Sequence, residues 1–268
     1  MSALETAYAK LNLALHVRRR RGDGYHDIET IFAFCEHGDE LSGEEADELS
    51  VTISGPFARD VPLGAESLVL KAAQALHKAT VRTSGAKLHL VKNLPVASGI
   101  GGGSADAAAT LRLLARLWNI EPAWAERIAP SLGADVPACI LSQTSRGTGV
   151  GEKLQPVVEA GLAATPVLLV NPALPLSTGA VFARWNGQDG GPLDDWRNGR
   201  NDLAAPAISL VPVIADLLEW LRKLPGADFV RMSGSGATCF ALFADEAARD
   251  AAASQVPRAW WHLATRLR

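Results

Sequence analysis

The chain has only three cysteines, Cys35, Cys139 and Cys239, which lie far apart and show no C-x-x-C spacing. That scarcity argues against a disulfide frame or a zinc site and predicts reduced, core-buried thiols in a cytoplasmic protein. An excess of positive charge is missing too, since 26 Lys and Arg stand against 29 Asp and Glu, for a net charge of −3. No global basic field advertises nucleic acid or an anionic membrane, so the expected partner is a small-molecule substrate, with no nucleic acid and no membrane. The longest uncharged window, 160–183, is broken by Pro166, Pro172 and Pro175 and holds Asn171. It makes a poor membrane helix, and the N-terminus lacks the continuous apolar core of a signal peptide.

Common nucleotide and hydrolase signatures are absent as well. There is no Gly-Lys pair for a P-loop, no H-R-D or D-F-G of protein kinases, and no G-x-S-x-G elbow. A dinucleotide fingerprint begun at Gly99 and Gly101 needs glycine at 104, where this chain has serine. What the sequence does have is Pro95, Val96, Ala97, Ser98, Gly99, Ile100, Gly101, Gly102, Gly103, Ser104 and Ala105 in succession. The residues before this run, 87–92, alternate around Leu88 and Leu90 as a strand does. After it, Ala107, Leu111, Leu114, Ala115 and Trp118 recur at helical spacing. A glycine loop between strand and helix, with Ser104 as the expected N-cap, presents unpaired amides and the positive end of a helix dipole to an anion. An ordinary tight turn before a helix is the plainer alternative.

At 268 residues the chain holds one large domain or two small ones. Residues 6–17 read as a strand with Leu11, Leu13, Leu15 and Val17 on one face and Lys10, Asn12, Ala14 and His16 on the other. Further strands are expected near 28–34, 49–54, 86–92, 166–171, 228–232 and 238–243. Helices are expected near 66–79, 104–118, 122–129, 178–185, 208–223 and 245–255. Strands and helices do not alternate strictly, so the fold class is α+β, with mixed or antiparallel sheets carrying helices on one face. The polar, glycine-rich stretch 187–199 reads as an exposed loop.

Two further segments accompany the glycine loop: Ala9-Lys-Leu-Asn-Leu-Ala-Leu15 leading to Gly22-Asp-Gly-Tyr-His26, and Met232-Ser-Gly-Ser-Gly-Ala-Thr-Cys239. Together the three resemble the motifs of the GHMP small-molecule kinases, in the expected order and across residues 6 to about 243. Gly133-Ala-Asp-Val-Pro137, Gly149-Val-Gly-Glu152 and Asn201-Asp-Leu203 look like further segments of members that serve non-mevalonate isoprenoid precursor biosynthesis. The resemblance implies the GHMP kinase fold: an N-terminal domain over 1–150 with the glycine-rich ATP loop, a ferredoxin-like C-terminal domain over 151–268, and an active site in the cleft between them.

It implies an activity as well, transfer of the terminal phosphoryl group of ATP, with Mg2+, to the hydroxyl of a cytidyl-bearing substrate. Residues 95–105 would bind ATP. Asp135 matches the family's catalytic aspartate and Lys10 its catalytic lysine, a cation that keeps the carboxylate ionised and stabilises charge on the transferred group. Tyr25 and His26 would recognise cytosine by stacking and by hydrogen bonding, while Asn12 and Thr178 align with positions near the substrate's polar groups. Read alone, an aspartate in a turn caps its own backbone, Lys10 is a surface lysine, Tyr25 is an anchor and His26 a solvated loop residue. The third motif read alone is a hairpin turn. This chain departs from many relatives at Ala105, where a hydroxyl is missing, and at Ser67, where an asparagine tied to the adenine pocket is common. Lys92 either borders the nucleotide or ends its strand in solvent. No carboxylate cluster identifies a magnesium ligand. The rival readings are a GHMP kinase for another alcohol and a nucleotide-binding protein without catalysis; Asp23-Gly-Tyr-His26 speaks against the first, Lys10 and Asp135 against the second.

Overall fold

The computed structural model describes residues 3–62, 64–158 and 161–268. The chain separates into two compact units that share its first two strands. One unit comprises 1–9, 37–96 and 101–142, the other 10–36, 97–100 and 143–268. Strand β1 is Ala3–Arg20 and β2 is His26–Ala46. Both are far longer than an average strand, and each contributes its two halves to different units.

In the first unit the C-terminal half of β2 pairs antiparallel with β4, Gly85–Val91, and β4 pairs parallel with β3, Ser50–Ser54. The spacing of apolar residues predicts a strand over only 28–34, whereas the observed strand runs on through Glu36-His37-Gly38-Asp39. Tertiary partners explain the extension. Asp39 is buried with its carboxylate fully engaged, and Gly38 lies where an added Cβ would come within 1.9 Å of the Ala7 carbonyl oxygen. Only glycine lets β1 and β2 approach so closely there. Four helices complete this unit: α1 (Leu68–Ala79), α2 (Gly102–Leu117), α3 (Ala123–Leu132) and α4 (Val136–Leu141). Helix α2 packs against the other three, and its alanine-rich sequence lets it be buried on most sides. The expected set Ala107, Leu111, Leu114, Ala115 and Trp118 is buried throughout.

In the second unit the N-terminal half of β2 pairs with β5 (Ser145–Thr148), which pairs with β6 (Lys153–Pro156). A separate antiparallel sheet follows the order β10-β7-β9-β8, formed by β7 (Pro166–Asn171), β8 (Ala227–Met232), β9 (Cys239–Phe243) and β10 (Trp261–Arg266). Leu168 and Val170 lie opposite Ala241 and Cys239, and this face forms a core with Ile214, Leu217 and Leu221. Those three come from α7 (Val213–Arg222); α5 (Thr178–Ala183), α6 (Ala204–Leu210) and α8 (Glu246–Ala253) supply Val181, Ala207 and Ala252.

The single helix expected over 208–223 is two, α6 and α7, separated at Pro212. Proline lacks an N–H and drives the residue before it out of helical geometry, and Val211 has φ −133° and ψ 82°. Strands β5, β6 and β10 and helix α4 were not expected from periodicity, which is short in all four.

Candidate active site

In the second unit β1 is buried on both faces from Lys10 to Val17, as sheet strands covered on both sides are. The expected pairing of Lys10 and Asn12 on one face is present. The Lys10 ammonium donates to Asn12 Oδ1 at 2.8 Å, the Asn12 amide donates to Thr30 Oγ1 at 2.8 Å, and that hydroxyl donates to the Ala14 carbonyl at 2.6 Å. Lys10 also stands 5.4 Å from the centre of the Phe32 ring. This chain of bonds holds a buried cation at a defined point, where it is worth more than in water.

The first half of the glycine loop, Ala97 to Ile100, lies against β1 and the third motif. Lys10 N donates to Ile100 O at 2.9 Å, Ser233 Oγ to Gly99 O at 2.9 Å, and Thr238 N to Ser98 O at 3.1 Å. Asn12 N in turn donates to Ser233 Oγ at 3.1 Å. Gly99 has φ +79°, and a Cβ there would sit 2.5 Å from Ser233 O and 2.7 Å from Gly236 O. The third motif is the tight turn between β8 and β9 and, in the same stroke, the backing of the glycine loop. Asn201 donates to both Met232 O and Gly234 O at 2.8 Å, and Thr178, in the first turn of α5, shares a 2.8 Å hydrogen bond with Ser235. Asn201 was visible in the sequence only as part of a motif, with no role attached.

Tyr25 and His26 end the β1–β2 turn, in which Arg21 N donates to Tyr25 O at 2.7 Å. Tyr25 is 60% exposed. His26 is not a solvated loop residue. Its ring lies 4.9 Å from that of Phe182 and 5.6 Å, edge-on, from Trp185, at the end of α5. Burial, assisted by Arg20, holds its pKa below the ordinary histidine value. The imidazole is therefore neutral at pH 7 and offers one donor and one acceptor. Phe182 and Trp185 were missed in the sequence; their signal is the spacing of two aromatic residues four and seven positions after Thr178.

In the first unit the helix after the loop begins at Gly102, two residues before the expected start. Gly101, at φ +66°, is the N-cap in place of Ser104, and Ala105 N donates to Gly101 O at 2.8 Å. Glycine enters a helix from a left-handed conformation that serine resists, which explains the shift. The first-turn amides of Gly102, Gly103 and Ser104 have no acceptor within the helix. Ala105 is buried in the next position, and Pro95 and Val96 lead into the loop. Asp135 is half-buried at the cap of α4, with Pro137 in the first turn behind it. The turn before it adjoins α2, since a Cβ at Gly133 would lie 4.0 Å from Ser104 Oγ. Ser67 is the N-cap of α1 and accepts from Leu70 N at 3.4 Å.

Lys92 does not end its strand in solvent. It is 1% exposed, and its ammonium donates to Asp39 Oδ2 at 2.6 Å and to Asp106 Oδ2 at 2.5 Å. Burial raises the Asp106 pKa to about 7, with the Lys92 charge opposing and the Asp39 charge adding. Asp106 Oδ1 is buried without a hydrogen-bond partner.

The second unit holds a buried cation fixed by an amide chain and a glycine loop segment backed by a second glycine turn, and the first unit holds a helix start whose first-turn amides have no acceptor within the helix; each is a feature that phosphoryl transfer uses. Residues 67–143 match the model of the GHMP kinases N-terminal domain and residues 189–262 that of the GHMP kinases C-terminal domain. The chain belongs to the GHMP kinase family, has its α+β fold, and is a small-molecule phosphotransferase. It is 50% identical to the 4-diphosphocytidyl-2-C-methyl-D-erythritol kinase of Rhizorhabdus wittichii, covering 100% of this chain and 96% of that one. It is also 50% identical to the kinase of the same name from Novosphingobium aromaticivorans, over 100% and 94% of the two chains. Among solved structures, a 4-(cytidine 5'-diphospho)-2C-methyl-D-erythritol kinase aligns with TM-score 0.84 and 33% identity over 100% and 99% of the chains. A homoserine kinase from Cytophaga hutchinsonii shares the fold, with TM-score 0.71, 17% identity and coverage of 99% and 95%.

Proposed function

We propose that this kinase transfers the terminal phosphoryl group of ATP to the 2-hydroxyl of 4-diphosphocytidyl-2-C-methyl-D-erythritol, in the cytoplasm, as a step of non-mevalonate isoprenoid precursor biosynthesis. The observation that carries this reading is full-length similarity, at 50% identity, to kinases named for that substrate. The family matches fall on either side of residue 150, which supports an N-terminal domain over 1–150 and a C-terminal, ferredoxin-like domain over 151–268.

Residues 95–105 hold the ATP phosphates on backbone amides; at Gly99 the third motif packs so close that no side chain fits, which keeps the loop backbone in one place. Asp135 takes the proton of the attacking hydroxyl and Lys10 stabilises charge on the transferred group. Asn12 fixes the Lys10 ammonium and, with Thr178, faces polar groups of the substrate. Tyr25 stacks on cytosine, and the neutral His26 reads its edge with one donor and one acceptor. Magnesium brought in with ATP would neutralise charge on its phosphates. Among the described residues no group of three or more His, Cys, Asp or Glu forms a metal cage, and no helix is long and apolar enough to cross a membrane. Replacing Asp135 by Asn tests the assignment: turnover is expected to fall by about 100-fold or more, with ATP affinity preserved. Near-normal turnover rejects Asp135 as the base.

A further inference from the structure

Lys92, the residue that follows β4, and the two carboxylates around it are not used by the reaction just described, yet they sit at the roots of the glycine loop. Lys92 and Asn93 begin the segment that leads into the loop, and Asp106 lies in the second turn of the helix that leaves it. Asp39, on β2, joins the two. Its Oδ1 accepts from Asn93 N at 2.6 Å and from Leu94 N at 2.8 Å, while its Oδ2 accepts from the Lys92 ammonium, which also holds Asp106. The entering stem and the leaving stem are thus fastened to one carboxylate through one cation.

We propose that Lys92, Asp39 and Asp106 form a clasp that sets the geometry of the ATP phosphate loop, acting as positioning residues that touch neither ATP nor the acceptor; this rests on the reading of 95–105 as the ATP site. The Lys92 ammonium cannot reach phosphate, because it is spent on two carboxylates and lies under α2, 3.1 Å from where a Cβ of Gly102 would be. Its main chain is tied down separately, with Lys92 N donating to Ser54 O at 2.8 Å and Phe57 N to Lys92 O at 3.2 Å. The backbone of the entering stem is therefore held on two sides before the loop begins. Buried ion clusters seldom add net stability over apolar packing of the same volume, and a single well-defined arrangement is the gain that such a cluster can supply. Phosphate binding by backbone amides depends on that arrangement, since an anion gains from amides only when they converge on it.

The test measures KM for ATP, KM for 4-diphosphocytidyl-2-C-methyl-D-erythritol, kcat and Tm for the full-length protein and two variants. Asp106→Asn removes one charge at constant shape. The double variant Lys92→Met with Asp106→Leu removes cation and partner together and keeps the space filled. In both, kcat/KM for ATP is expected to drop about 10- to 100-fold at temperatures where the protein is folded, with KM for the acceptor changed less than about twofold. The clasp is refuted if KM for ATP stays within about twofold of the parent in both variants, if the two KM values rise together, or if the only change is in Tm. Absence of ATP turnover in the unsubstituted protein would instead overturn the proposed function, so the two failures are distinguishable.

Discussion

Substituting Gly99 by Ala is the sharpest perturbation of the loop, because the structure supplies each part of the expected cost. Gly99 adopts φ +79°, where an L-residue is disfavoured by roughly 1–2 kcal/mol. The new methyl carbon would meet Ser233 O at 2.5 Å, Gly236 O at 2.7 Å and Gly236 N at 2.8 Å. All three are backbone atoms of the third motif, which Asn201 and the Ser233 to Thr238 bond hold in place. Relief therefore comes from the loop lifting away, which sacrifices the Ser233 Oγ to Gly99 O and Thr238 N to Ser98 O bonds at about 1 kcal/mol each. The sum is roughly 3–4 kcal/mol, or a Tm lower by about 6–16 °C at 2–4 °C per kcal/mol.

Gly24→Ala is the matched control. Gly24 has φ +90° but no atom within 4 Å of the added carbon, so only the backbone strain remains, about 1–2 kcal/mol. Thermal unfolding of both variants, with KM for ATP, is the assay. Gly99→Ala is expected to raise KM for ATP at least about tenfold and Gly24→Ala to leave it within about twofold. Equal Tm values for the two, with unchanged ATP kinetics, would refute the claim that the third motif backs the loop.

Asn12→Ala strips an acceptor from the buried Lys10 ammonium and a donor from Thr30. Chemical denaturation is expected to show a loss of about 2–4 kcal/mol, and kcat is expected to fall more than about tenfold. Phe182→Ala removes the ring beside His26, so KM for the cytidyl acceptor should rise about tenfold while KM for ATP holds. His16 accepts from Arg200 N at Nε2 and is therefore protonated at Nδ1, which donates to Gly191 O. Burial lowers its pKa from 6.5, so the stability it contributes is complete above pH 6.5 and is lost as pH falls below that value, where the unfolded chain binds the proton first. The difference in unfolding free energy between the parent and His16→Gln should shrink between pH 7.5 and 5.5, and a constant difference would contradict the neutral assignment.

Much of the architecture was legible because its signals are local. The alternation of Leu11, Leu13, Leu15 and Val17 marks β1 and puts Lys10 beside Asn12, and β7 matches its expected range end to end. The second half of β2 was illegible because its polar residues are satisfied by partners distant in sequence; Asp39 meets amides 54 and 55 positions away. Lys92 looks like a strand-end lysine until Asp39 and Asp106 converge on it, and His26 looks solvated until α5 brings Phe182 and Trp185 alongside. The serine cap failed for a different reason: Ser104 has the right side chain, but Gly101 supplies the left-handed turn three positions earlier.

The central claim is tested most directly by ADP release from the purified protein with ATP, magnesium and 4-diphosphocytidyl-2-C-methyl-D-erythritol, beside mevalonate, homoserine and galactose. The account expects turnover with the cytidyl compound alone. Turnover of another acceptor in its place would contradict the nucleobase reading of Tyr25 and His26, and turnover of none would contradict the kinase itself.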